Sequence, residues 1–212
     1  MKPATAIAPA RERGVVLLFC LIILVILLVG SVAVLRSMNT SLFGAGNLAF
    51  RRDLVNQGEQ AVTKVMALFG TGGALASASA SAASVPASNY SAVQLVANDR
   101  GIPLVLLASG SSPSGADVTG GTFAPTSADL GGATPDVVIR YVVDRLCNAT
   151  GAASTASCVY LPSASDVAGG SSQLPASKRP TPPVLPAYRI SVRVTGPRDT
   201  QVFLQSSFTK PE

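Results

Sequence analysis

Hydrophobic positions are spread very unevenly along this chain. Val15 to Leu35 is an apolar run of 21 residues interrupted only by Gly30 and Ser31, with no charge before Arg36. That is long enough to cross a bilayer as a helix. Beyond it the pattern changes but the helix is predicted to continue. Arg36 to Phe69 contains no proline, and Leu42, Phe50, Leu54, Ala61, Val65 and Leu68 recur mostly three, four or seven apart, the period of an amphipathic helix. Arg51, Arg52, Asp53, Asn56, Gln57, Glu59 and Lys64 fill much of the rest, and Gly70-Thr71-Gly72-Gly73 ends it, as glycines end helices. One helix over 15–69 would span about 80 Å. Glycines at 44, 46 and 58 each weaken it by about 1 kcal/mol relative to alanine, so a bend or local melting is expected near Gly44-Ala45-Gly46.

From Gly70 to Pro135 periodicity fades. Alanine, serine, glycine, threonine and proline dominate, and 74–87 and 109–121 are low-complexity. Such sequence buries little apolar surface and suits loops, so 70–135 reads as a connecting region. Within it Asn89–Asn98 fits a short helix or strand, and Ile102–Ala108 fits a short buried strand. The segment 136–212 reads as an antiparallel sheet domain. Asp136–Cys147 is rich in β-branched residues, a strand signal. Tyr188–Thr195 alternates, with Tyr188, Ile190, Val192 and Val194 on one face and Arg189, Ser191, Arg193 and Thr195 on the other, the pattern of a half-exposed antiparallel strand. Gly196-Pro197-Arg198-Asp199 is a turn, and Thr200–Phe208 returns with Val202, Leu204 and Phe208 on one face. The sum is α+β: a long helix against three or four antiparallel strands.

The start of the apolar run admits three readings. A secretory signal has an apolar region of about 7–15 residues followed by a small-residue cleavage site, shorter than what stands here. A plain anchor with Arg11 and Arg13 on the cytoplasmic side explains charge and length but not Gly14. A leader of charged residues cut after Gly14, leaving Val15 as the new N-terminus, explains all three. Arg13-Gly14, the run to Leu35, Gly46-Asn47-Leu48-Ala49-Phe50-Arg51 and Gly58-Glu59-Gln60-Ala61-Val62 together resemble the N-terminus of the PilX-type minor pilins of type IV pili. The resemblance covers about the first 70 residues well and the last strands more loosely. It implies a pilin-like fold, a leader over 1–14 removed by the prepilin peptidase, methylation of Val15, and a membrane span from Val15 to Leu35. It implies an inner-membrane subunit with a periplasmic C-terminal domain that ends in the pilus, at its tip. Its implied partners are other minor pilins, the major pilin, the inner-membrane assembly platform and a large tip adhesin.

Most major pilins carry glutamate at the fifth mature position, where this chain has Phe19; PilX-type pilins and K-type pseudopilins of type II secretion commonly lack it too. A carboxylate in the membrane costs at least ~2.5 kcal/mol and usually has a partner, in pilins the amine of a neighbouring subunit. A subunit with Phe19 makes no such demand and suits the first place at a tip. On residue chemistry alone Phe19 is one more lipid-facing side chain.

Composition narrows the rest. The net charge is +5, of which Lys2, Arg11, Arg13 and Glu12 contribute +2, leaving +3 after cleavage. That is too weak and scattered for nucleic acid; the pairs Arg51-Arg52 and Lys178-Arg179 read as solvated faces. Without histidine no Ser-His or Cys-His pair is possible, and no phosphate-loop, dinucleotide or EF-hand motif occurs. No catalytic residue, cofactor or metal site is expected. Asp136 and Asp144 read as strand-edge charges or partners of Arg140 and Arg145. Cys20 lies in the apolar run and reads as a small apolar residue. Cys147 and Cys158 are expected to be bridged in an oxidising compartment, since two cysteines do not make a zinc site. The alternatives to a minor pilin are a K-type tip pseudopilin and, from another class, a membrane-anchored periplasmic enzyme or ligand-binding protein.

Overall fold

A computed structural model describes residues 13–110, 112–154, 156–160 and 185–210. Residues 1–12 of the expected leader, the pair Lys178-Arg179 and part of the expected sheet domain therefore lie outside the described residues. Helix α1 (Arg13–Phe69) is unbroken. It continues through Gly44-Ala45-Gly46, so the glycines cost helix propensity without melting a turn there. The chain divides into two compact units at Phe50/Arg51. In the first, every apolar side chain from Val15 to Leu48 is exposed.

The second unit is α+β. After α1 come a helical turn α2 (Ala78–Ser81), β1 (Tyr90–Ser91), a helical turn α3 (Leu104–Leu107), β2 (Gly115–Ala116), β3 (Thr122–Phe123), β4 (Leu130–Gly131), β5 (Val138–Arg145), β6 (Ala187–Gly196) and β7 (Thr200–Thr209). The main sheet has five strands in the order β1-β5-β6-β7, with β4 also pairing β5. β5, β6 and β7 form the expected antiparallel meander, with Val143 opposite Ile190 and Ile190 opposite Ser206. The sheet is nevertheless mixed, because β1 runs parallel to β5. The region 70–135 is more than a connection: it supplies β1 and β4, and β2 and β3 form a small ribbon of their own.

One face of the sheet is covered by the last part of α1. Leu54, Ala61, Val65 and Phe69, at intervals of seven, four and four, pack with Ile139, Tyr141, Val143, Tyr188, Ile190, Val192 and Val194. Phe69 closes this core edge-on against Tyr188 and Phe208, with ring centroids 4.9 and 5.0 Å away. Gly58 is needed at the helix–sheet contact. A Cβ there would overlap Leu204 Cδ1 and approach Val194 Cγ2 to 2.9 Å. Gly58→Ala gains about 1 kcal/mol of helix propensity but overpacks at a cost of about 1–3 kcal/mol. The buried β-branched Val194 cannot yield, so a net loss of about 1 kcal/mol is expected on these terms, read as a lower denaturation midpoint; a rise would show that Leu204 swings clear.

The opposite face is covered too, which corrects the half-exposed reading of Tyr188–Thr195. Leu95, Val105, Leu106 and Phe123 form a second core on Val142, and Arg189 and Ser191 are buried on this face. Ile102–Ala108 is not a strand. Pro103 precedes a single helical turn that presents Val105 and Leu106 to the sheet, because a short apolar run fits either period and the layer it joins decides.

Candidate functional site

The exposed part of α1 is the first candidate. It is long and apolar enough to cross a membrane. Gly14 and Val15 lie in its first turn, and Phe19 is 60% exposed. Cys20 is an exposed free thiol. All of Val15–Leu35 presents side chains outward, so this segment offers a surface and no enclosed site.

The second candidate is a polar frame on the outer face of the sheet. Alternation places Arg140, Val142 and Asp144 of β5 opposite Arg193, Ser191 and Arg189 of β6. Asp144 is fully buried. Its partner is Arg189, not Arg140 or Arg145 as the sequence suggested: Arg189 Nε donates to Asp144 Oδ1 at 3.0 Å. The pair then grips one residue of the covering layer. Leu95 N–H donates to Asp144 Oδ2 at 2.9 Å and Arg189 Nη2 donates to the Leu95 carbonyl at 3.1 Å. Burial pushes the Asp144 carboxyl up, while Arg189 and the Leu95 N–H pull against it. Arg140 holds a second loop: it binds Asp129 through Nε at 2.8 Å and Nη2 at 2.7 Å, and donates to the carbonyls of Ala108 and Gly110. The Asp129 contact raises the Arg140 pKa further. Burial, with Arg140 nearby, lowers that of Arg193. Buried, satisfied ion pairs of this kind fix one arrangement of a loop more than they add stability.

Cys147 and Cys158 are joined, as expected. The bridge closes a loop whose Gly151 carbonyl accepts from the buried Arg145 at 2.7 Å and whose Gly151 N–H donates to Ala82. Replacing both cysteines by serine is expected to cost about 2–3 kcal/mol by loop entropy. Chemical denaturation of oxidised wild type and the double variant measures it; equal midpoints would assign the loop's order to its hydrogen bonds alone.

Sequence reasoning missed the Asp144–Arg189–Leu95 frame. The signal was present as opposite charges on the same face of two predicted neighbouring strands, but nothing in the sequence said that this face is covered. Among the described residues no three His, Cys, Asp or Glu side chains gather where they could hold a metal ion. No family model, curated protein or solved structure matches the chain.

Proposed function

We propose that this chain is a minor pilin of the PilX type, a structural subunit that primes pilus assembly as part of a tip complex. The observation that carries the reading is the division of labour along α1: an exposed apolar N-terminal run entered through Gly14, and a C-terminal stripe of Leu54, Ala61, Val65 and Phe69 that forms the core of a sheet domain. In this reading the prepilin peptidase cuts after Gly14, the Val15–Leu35 segment holds the subunit in the inner membrane, and the disulfide-bonded domain folds in the periplasm. On assembly, apolar helices of neighbouring subunits replace lipid around α1. The other minor pilins, the major pilin, the assembly platform and a large tip adhesin are the partners.

The test is the N-terminus of the protein from a membrane or pilus fraction. Mass spectrometry is expected to find Val15, methylated, as the first residue. Gly14→Glu is expected to leave the protein uncut and anchored. A chain starting at Met1, or cut beyond Leu35, overturns the reading.

A further inference from the structure

Among the described residues β7 is an open edge: it pairs with β6 over ten consecutive positions with none skipped, and no other described strand adjoins it. Among the described residues, no turn or loop backbone hydrogen bond reaches 200–209. A long edge strand presents a row of unpaired N–H and C=O groups, which proteins ordinarily blunt with lysine, proline or a bulge. Thr200–Thr209 contains no charged residue and no proline, and its register contains no bulge. Such a row is complemented by another extended backbone.

Three clefts meet on this strand, and all three include Gln205. On the α1 side, a cleft of about 340 Å³ runs between Glu59, Val62 and Thr63 and the residues Ile190, Leu204 and Ser206. On the outer side, one of about 170 Å³ is bounded by Arg100, Ile102, Pro103, Leu106 and Phe203. It is followed by one of about 410 Å³ beside Gln94, Arg189 and Ser207. Successive side chains of an added strand point to opposite faces and so enter the two sides alternately. Arg100 at the rim of the smaller outer cleft is exposed and has no carboxylate partner among the described residues.

We propose that the open edge of β7 docks an extended segment of another protein as an additional strand, with aliphatic side chains toward α1 and polar or acidic ones toward Arg100. The apolar wall of Val62, Ile190 and Leu204 selects the first set, and the uncompensated Arg100 charge selects the second. The edge is available to such a segment whether or not the chain assembles into a pilus.

The experiment uses the full chain in lipid nanodiscs and an acetylated decapeptide alternating valine with aspartate or threonine. The control peptide has proline at every second position, which removes the donors a ladder needs. Hydrogen exchange read by mass spectrometry is expected to show the outward amides of 200–209 exchanging fast in the free chain and about tenfold slower with the alternating peptide, as strand addition requires. Peptide affinity read by fluorescence anisotropy is expected to weaken about threefold with Arg100→Gln, the size of one exposed ion pair, and to be lost with Ser206→Arg, an exposed position beside the α1-side cleft. Slow exchange already present in the free chain would mean that the chain covers its own edge. Protection that grows with protein concentration alone would mean that a second copy does. Either result overturns the proposal, as does equal protection by the proline peptide or unchanged binding by Ser206→Arg.

Discussion

Replacing Arg189 by methionine is expected to destabilise the sheet domain by about 3–5 kcal/mol at pH 7, the cost of leaving one member of a buried ion pair without the other. Methionine keeps the length of the stem, so the apolar packing changes little. What remains is the Asp144 carboxylate, fully buried and held only by the Leu95 N–H among the partners described above. Burial already pushes this carboxyl up, and removing the cation pushes it further. A carboxyl whose folded pKa lies above its unfolded value of about 3.9 leaves stability intact below that value and lowers it as pH rises through the folded pKa. The variant is therefore expected to be close to wild type near pH 4 and to lose stability toward pH 7, with no further change above the folded pKa. Asp144→Asn in the same background removes the charge but keeps an acceptor for Leu95, and is expected to restore most of the loss and flatten the pH dependence. Denaturant titrations of the three proteins across this pH range test it. A loss that is the same at every pH would assign the cost to packing.

Deleting the chain from its cell is expected to remove or sharply reduce surface pili while leaving the amount of major pilin unchanged, if it primes assembly. An existing fibre end offers each incoming helix a packed site; the first helices have none and must be brought together at full entropic cost. A preassembled tip complex lowers that cost by holding them at high effective concentration. Phe19 gives the second arm of the same experiment. Phe19→Glu places a carboxylate among lipid chains at a cost of at least ~2.5 kcal/mol unless an amine of a neighbour reaches it. The substituted subunit is expected to assemble poorly or to change position, and Phe19→Leu to behave as wild type. Electron microscopy with immunolabelling counts the pili and locates the subunit. Normal pilus numbers in the deletion strain remove the priming role.

The long helix was legible because its signals are local. A charge-free run cannot be satisfied in water, no proline interrupts 15–69, and glycines at 70, 72 and 73 stop it. Of the spaced apolar positions, Leu54, Ala61 and Val65 are buried and Leu68 is half-buried, while Leu42 and Phe50 are exposed, since spacing marks a face but not how far along the helix that face is covered. The β5, β6 and β7 strands were legible for the same reason, since alternation is written residue by residue, and the bridge between Cys147 and Cys158 followed from compartment and proximity. Ile102–Ala108 was misread because four consecutive apolar residues carry no period. β1 was ambiguous because two residues of strand have no pattern; its place beside β5 depends on Asn89, whose side-chain amide donates to the Tyr141 carbonyl and accepts from the Ser127 N–H.

The sequence by itself determined which residues cannot face water: the Val15–Leu35 run, the α1 stripe and one face of each long strand, because hydrophobic spacing and turn chemistry act over a few residues. Only the tertiary structure decided what covers the second face of the sheet. The covering layer joins a small apolar cluster, Leu95, Val105, Leu106 and Phe123, to carbonyls and N–H groups held by Arg140, Asp144 and Arg189 across long sequence separations. Pairings of that kind depend on strand register and on which charged side chains lose water, neither of which any local pattern encodes. The same holds for β7: its composition made it a strand, but only the order of the described strands made it an edge.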